Sequence, residues 1–547
     1  MKQWWQKEIG YQIYPRSFKD SNGDGIGDLQ GIISKLDYLQ DLGVTLIWIC
    51  PIYASPQEDN GYDISDYYAI NPEYGTLEDL EELISEADKR HIKVIMDLVI
   101  NHTSNQHKWF KDALNNPTSP YRDYYIFKEA VDGHEPNNWR SVFGGSVWQK
   151  EEDTNCYYYH SFAPGQPDLN WENPKMRKEI YDMINYWLEK GIAGFRVDAI
   201  NFIKKDQTYK DGPVDGADGL SHCFPFSRNV KGIEEFFNEL KQETFAKHNC
   251  MTVAEAVGVP YNELGMFIGE EGCFSMMFDF SYSNFDISES EEWFKRKEWT
   301  IKQFKDLLFT SQTEVQKVGW VAPFIENHDQ PRAVSKFFAK EDINYHSTTL
   351  LANMFFNLRG TPFIYEGQEI GMTNFVRTNI NEFDEISSYA QYKRAMEEGY
   401  SEEEALHFVN LRSRDNTRTP MHWDTSEYAG FSTSKPWILM NPNYTEINVA
   451  SQFNDPNSIY SFYKKMINVR KNSEVSDILT YGTFKPIETE DDIIAYSREY
   501  NGETVSIYCN FSKETKTIDM KESDVLLNNY ETYTTNTLLP YQTILVK

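Results

Sequence analysis

Three carboxylates stand at the ends of three apolar runs in this 547-residue chain: Asp198 in GFRVDAIN (194–201), Glu255 in MTVAEA (251–256) and Asp329 in IENHDQ (325–330). Each has a cation, an imidazole or an amide close by in sequence. Arg196 lies two residues before Asp198, His328 directly before Asp329, and a fourth run, KVIMDLV (93–99), carries Asp97 and leads into Asn101 and His102. The chemistry that needs such a set is cleavage of a glycosidic bond, where one carboxylate attacks and a second carboxyl delivers a proton near neutral pH. Side chains alternate along a strand, so Arg196 and Asp198 share a face, and the arginine favours the ionised form of its neighbour. Glu255 follows the apolar MTVA, where desolvation is expected to suit an acid. A structural Arg–Asp pair accounts for the strand at 194–199 but not for Glu255 or the His328–Asp329 pair.

Positioning these groups calls for several strands that end at one place. Runs rich in apolar residues lie at 10–18, 45–51, 93–99, 194–199, 251–256, 274–280, 320–327 and 361–367, and most are continuous, as in parallel strands covered on both faces. Between them, stretches such as TLEDLEELISEADKRH and PKMRKEIYDMINYWLEKG have helical spacing. The alternation predicts an α/β fold, a (β/α)8 TIM barrel whose functional groups sit at the C-terminal strand ends. Residues 102–170 break the alternation after the third strand and read as an inserted irregular subdomain. Residues 473–547 read as a C-terminal antiparallel β-domain, with a turn at Asn501–Gly502. The barrel then comprises 1–101 and 171–472, the second part with a long loop subdomain at about 371–450.

A net charge of −31 argues against nucleic-acid partners, whose phosphates attract basic surfaces. No segment reaches about 18 consecutive uncharged apolar residues, so no membrane span is expected. The six cysteines are scattered and the start lacks an export signal, which predicts free thiols and a cytoplasmic protein. With 35 Tyr and 13 Trp, the chain has aromatics beyond core needs that can stack on a small ring-shaped substrate. The sequence carries no sign of oligomeric state.

Together, DLVINH (97–102), GFRVDAIN (194–201), Glu255 in TVAEAVGV and FIENHDQ (324–330) resemble the conserved stretches of the α-amylase superfamily, glycoside hydrolase family thirteen. QPDLN (166–170), DNGYDISDY (59–67) and SRDNTRTPMHWD (413–424) match as well, and the likeness is to the oligo-1,6-glucosidase and α-glucosidase branch. The resemblance implies a retaining double displacement with Asp198 as nucleophile, Glu255 as general acid/base and Asp329 as transition-state stabiliser. A retaining pair sits about 5–5.5 Å apart. It further implies that His102, His328 and Arg196 line the subsite of the bound glucose, with Tyr62 beneath the ring and Phe162 and Gln166 beside it. Asp59 and Arg414 would clamp its non-reducing end and make the enzyme exo-acting.

The segment DSNGDGIGD (20–28) has the spacing of a calcium-loop start: Asp20, Asn22 and Asp24, then Gly25 for the turn and Ile26 offering a carbonyl. Position twelve is Gly31 rather than a bidentate Glu, so the loop is no EF-hand, and Asp28 supplies the further carboxylate. The resemblance implies a structural Ca²⁺ (or Mg²⁺) here and no organic cofactor.

Ala199 follows the nucleophile position, where α-1,6-specific relatives tend to carry Val and α-1,4-specific ones Thr. Alanine is smaller than either. Val257 stands where long-chain dextran glucosidases carry Trp, which favours short substrates. The arginine-rich RLDRD loop of sucrose isomerases has no counterpart. Short α-1,6-linked isomalto-oligosaccharides are the expected substrates, with α-1,4 activity, sucrose cleavage or sucrose isomerisation as the alternative; trehalose-6-phosphate ranks lower. A non-catalytic sugar-binding or transporter-associated relative is the alternative from another class, disfavoured by the intact carboxylate set.

Overall fold

A computed structural model describes residues 2–288, 292–520 and 524–547. Among these residues seven parallel strands share one sheet: β1 (Gly10–Ile13), β2 (Leu46–Ile49), β3 (Lys93–Val99), β4 (Gly194–Asp198), β5 (Met251–Glu255), β6 (Met276–Phe278) and β7 (Phe363–Tyr365). Their order is β6-β5-β4-β3-β2-β1-β7. The gap between β6 and β7 is filled by 320–324. There the Ala322 N–H donates to the Met277 carbonyl at 2.9 Å, and the N–H groups of Thr361 and Phe363 donate to the carbonyls of Val321 and Pro323 at 3.1 and 2.9 Å. The (β/α)8 barrel therefore closes, but the strand expected at 320–327 is not regular. Pro323 has no N–H to give to a ladder, so pairing is reduced to a bridge at Val321.

Other boundaries also differ from the sequence expectation. The first strand stops at Ile13, because Pro15 suits the first position of a helical turn, Pro15–Phe18. The sixth and eighth strands are three residues each rather than seven. Helix Leu77–Lys89 begins at a Thr76–Asp79 capping box and buries Leu80, Leu83 and Ala87 at i, i+3 and i+7. Helix Pro174–Glu189 is capped by Asn173 and buries Met176, Ile180, Met183, Ile184 and Trp187. Each such aliphatic side chain contributes about 1.5–3 kcal/mol when fully removed from water.

The insertion after β3 is not wholly irregular. It contains helix Lys108–Asn115, two turns long, with Trp109, Phe110 and Ala113 buried, and a three-stranded antiparallel sheet of Phe127–Glu129, Cys156–Tyr159 and Trp148–Lys150. The stretch 371–450 likewise holds two longer helices, Ile386–Glu397 and Glu402–Arg412, the second of which leads through Ser413 to Arg414. A further helix, Ser476–Tyr481, precedes the C-terminal sheet, which begins at Thr483. That sheet is antiparallel and turns at Asn501 (φ 52°) and Gly502 (φ 83°), the paired positive angles of a tight hairpin. Asn353 Nδ2 ties it to the barrel through Thr543 Oγ1 at 2.7 Å.

Candidate active site

Strand register sets the core of the site. Arg196 on β4 lies opposite Asp97 on β3 and Val253 on β5, so its guanidinium emerges between the two neighbouring strand ends. One nitrogen donates to both Asp97 Oδ1 and Asp198 Oδ1 at 2.7 Å, and the other meets Glu255 Oε2 at 2.8 Å. Three carboxylates thus share a single, buried cation. Burial pushes the Asp198 carboxyl up; Arg196 opposes this, and the charges of Glu255, Asp97 and Asp329 add to the rise. The arginine therefore does not by itself hold Asp198 as a low aspartate, because one positive charge cannot offset three negative ones in a desolvated place. Glu255 does not meet the apolar wall expected from MTVA. Its Oε2 accepts from the Ala199 N–H at 2.9 Å as well as facing Arg196, and part of its side chain stays open to the pocket.

Asp329 arrives from the chain after the closing segment. Its Oδ1 is 3.2 Å from an Arg414 nitrogen and 2.8 Å from Arg418, and its Oδ2 is 3.1 Å from His328 Nε2. Burial works against its charge, but the guanidinium groups of Arg414 and Arg418, with the His328 ring nitrogen against Oδ2, hold Asp329 well below the usual carboxylate range. Arg414 also reaches Asp59 Oδ1 at 3.2 Å and, through two nitrogens, Glu385 Oε1 at 2.8 and 2.6 Å. Glu385 caps helix Ile386–Glu397 by accepting from Ser387 and Ser388 N–H, so the clamp is anchored on a helix end.

The remaining wall comes from the loop 59–67 and the insertion. Tyr62 stacks parallel to His328 at 5.4 Å and donates its hydroxyl hydrogen to Asp97 Oδ2 at 3.0 Å. His102 donates from Nε2 to the Tyr62 carbonyl at 3.0 Å and accepts at Nδ1 from Asn101, and burial holds it down at about 4, a neutral ring. Gln166 Nε2 donates to Asp59 Oδ2 at 3.0 Å, and the Phe162 ring packs edge-on against His102 at 5.3 Å. Asp63 takes the Glu58 and Asp59 N–H groups and so shapes the loop carrying Asp59 and Tyr62; burial pushes it up to about 6. The resulting cavity of about 220 Å³ is lined by Asp59, Tyr62, His102, Phe162, Asp198, Ala199, Glu255, Asp329 and Arg414. The Asp59–Arg414 ion pair is part of this wall, and Val257, Phe280 and Trp293 line the cavity as well.

The structure brings Asp198, Glu255, Asp329 and His102 into one pocket, while Asp97 and Asn101 are buried beneath it. Gln166, Arg196 and His328 stand behind the lining, tied to it by the contacts above. Sequence reasoning missed Gln12, Glu385, Arg418 and Lys205. Lys205 Nζ is buried against Asp168 Oδ2 at 2.6 Å and Asn101 Oδ1 at 2.8 Å, directly behind His102. The available signals were that Gln12 is polar between the apolar Tyr11 and Ile13 and that Arg418 lies within the matched stretch 413–424; Lys205, between Lys204 and Asp206, carried none.

The loop 20–28 lies apart from the pocket. Asp20 is buried and accepts from the N–H groups of Asn22, Gly23 and Gly25 and from Ser432 Oγ. Asn22 and Asp24 accept from the N–H groups of Asp24 and Ile26, and Asp28 caps the next helix through Gly31. These turns gather oxygen-bearing side chains along one short loop. Among the described residues, however, no three His, Cys, Asp or Glu side chains converge closely enough to hold a metal by themselves, so an ion here needs Asn22 and main-chain oxygen as ligands.

Comparison with known proteins agrees with this geometry. The α-amylase catalytic-domain family model matches residues 12–482. The chain is 43% identical over 537 residues to the oligo-1,6-glucosidase of Parageobacillus thermoglucosidasius, covering 96% of this chain and 95% of that protein. It is 41% identical over 559 residues to the trehalose-6-phosphate hydrolase of Bacillus subtilis, covering 100% and 98%. Among solved structures, the isomaltulose synthase of Protaminobacter rubrum superposes with a TM-score of 0.93 at 39% identity over 100% of both chains. No helix among the described residues is long and apolar enough to cross a membrane. With its barrel, its carboxylate-lined pocket and these relatives, the chain belongs to the α-amylase family and is a glycoside hydrolase.

Proposed function

We propose that the protein is an exo-acting, retaining α-glucosidase that removes the non-reducing terminal glucose of short α-1,6-linked gluco-oligosaccharides. The observation that carries this reading is the pair Asp198 and Glu255, held at the ends of adjacent strands on the two nitrogens of Arg196 in a pocket whose wall includes the Asp59–Arg414 ion pair, the clamp expected for the non-reducing end of the glucose. Arg196 occupies Asp198 Oδ1, which leaves Oδ2 to attack the anomeric carbon. As that C–O bond forms, the glycosidic C–O bond breaks and Glu255 gives its proton to the departing oxygen. Water, deprotonated by Glu255, then attacks the same carbon and releases Asp198 from the glucosyl ester, so the anomer is retained. Asp329, charged and gripped by Arg414 and Arg418, offsets the positive charge developing on the ring. His102, neutral and on the pocket wall, faces the sugar hydroxyls, and His328, neutral and behind the wall, holds Asp329 through Nε2.

The small Ala199 and Val257 leave room for the flexible α-1,6 linkage, and several relatives carry the name oligo-1,6-glucosidase. The deciding experiment is the initial rate on equal concentrations of isomaltose, maltose, sucrose and trehalose, with product anomers followed by NMR. Isomaltose ahead, with α-glucose appearing first, is the expected result; maltose or sucrose ahead would overturn the linkage assignment.

Two smaller assignments go with it. All six cysteines are free thiols, which suits a reducing cytoplasm. A Ca²⁺ ion bound by Asp20, Asn22, Asp24, the Ile26 carbonyl and Asp28 would stabilise the loop away from the chemistry. Adding EDTA should then lower Tm and Ca²⁺ restore it, with little change in kcat; an unaltered Tm would remove the ion from this account.

A further inference from the structure

Gln12 sits on β1, buried beneath the pocket, and its Nε2 lies 2.7 Å from His328 Nδ1 and 3.3 Å from Cys50 Sγ. The other side of the imidazole is fixed independently. Tyr62 spends its hydroxyl hydrogen on Asp97 Oδ2, so at 2.6 Å from His328 Nε2 it can only accept from that nitrogen. Asp329 Oδ2, at 3.1 Å, is also an acceptor. Both facts place the proton on Nε2 and leave Nδ1 as a bare lone pair, and the Gln12 amide is the group that meets it.

We propose that Gln12 is a positioning residue: its amide N–H locks His328 as the neutral Nε2–H tautomer, aimed at the Tyr62 hydroxyl and at Asp329. A carboxylate in its place would demand a proton on Nδ1 and turn the ring into an imidazolium. The charged and titratable groups facing His328 are Tyr14 directly after β1, Cys50 after β2, Asp97 on β3, Arg196 on β4, Tyr62 from its loop, and Asp329, Arg414 and Arg418 from the far wall. Burial, aided by the three arginines among these, holds the ring neutral, well below its ordinary value.

The first test uses the unaltered enzyme with ¹⁵N-labelled histidine, the His328 signals being identified by their loss in His328→Gln. Nε2 protonated and Nδ1 unprotonated between pH 5 and 9 is expected; a proton on Nδ1 overturns the proposal whatever the enzyme acts on. The second compares Gln12→Glu with Gln12→Met and depends on the glucosidase reading. Gln12→Glu should lose at least tenfold in kcat/KM and show a new ionisation between pH 5 and 9, while Gln12→Met loses activity with the wild-type pH profile. Identical profiles for the two variants would mean that Gln12 merely fills space. Should both variants fail to fold, the spectrum of the unaltered enzyme still decides.

Discussion

The main-chain N–H of Ala199 donates to Glu255 Oε2 at 2.9 Å, from a residue held at φ 40° and ψ 35°. The left-handed turn directly after the nucleophile position is thus what points an N–H at the second carboxylate. A β-branched side chain is strained in that region, by about 1–2 kcal/mol. Ala199→Val should therefore lower Tm and slow turnover by loosening Glu255, while the added bulk beside the leaving group raises the ratio of isomaltose to maltose turnover. Calorimetry and initial rates on both sugars check this; an unchanged ratio would remove Ala199 from the account of linkage preference.

Asp198 carries a stability signature opposite to its use. Its folded carboxyl is raised by burial and by its carboxylate neighbours, so its contribution to stability is fully present below the unfolded value, about 3.9, and is lost as pH rises through the folded value. An asparagine amide at this position mimics the protonated carboxyl and never suffers that loss. Asp198→Asn should abolish hydrolysis, keep the fold, and gain in Tm over the wild type as pH is raised from about 4 upward. A Tm difference that is flat or shrinks with pH would refute the crowding of charge around Arg196.

How much of this was legible in the sequence follows from the range of the forces involved. The barrel strands and the carboxylates at their ends could be read because burial on both faces makes each strand a continuous apolar run, punctuated only where the chain reaches the mouth. Helix Lys108–Asn115 escaped notice since two turns give too few repeats for a 3.6-residue period to stand out. The strand at 320–327 was over-read because its apolar content suits a barrel while Pro323 blocks the ladder. The surroundings of Glu255 could not be read from MTVA, since Arg196 and Ala199 reach it from another strand. Glu385 and Gln12 were hidden for the same reason: their partners Arg414 and His328 are 29 and 316 residues away.

Lys205 should behave as a buried strut. Its ammonium is the cation against Asp168, and it also holds Asn101 Oδ1 and the Phe202 carbonyl, so one side chain joins β3, the chain after β4 and the insertion. Lys205→Met leaves Asp168 buried without its counter-charge, at a cost of about 3–5 kcal/mol. A large fall in Tm is expected, together with weaker binding of the substrate through Asn101 and His102. Should Tm stay within a degree of the wild type, the ion pair is not what holds the insertion to the barrel.

Arg414, on the pocket wall, satisfies three carboxylates at once, Asp59, Asp329 and Glu385, and is the proposed clamp that ends the pocket. Arg414→Ala leaves Glu385 and Asp59 facing one another and lowers the positive charge on Asp329, whose carboxyl should then rise toward the ordinary range. Loss of the clamp removes contacts made with the bound glucose in both ground and transition states, worth about 3 kcal/mol or roughly a hundredfold in kcat/KM. The loss should be largest for isomaltose, which has little else to hold it, and smaller for longer oligosaccharides that can now extend through the opened end. Comparing kcat/KM across isomaltose, isomaltotriose and isomaltotetraose measures this directly. An equal loss on all three would show that Arg414 stabilises the carboxylates without setting where the pocket ends.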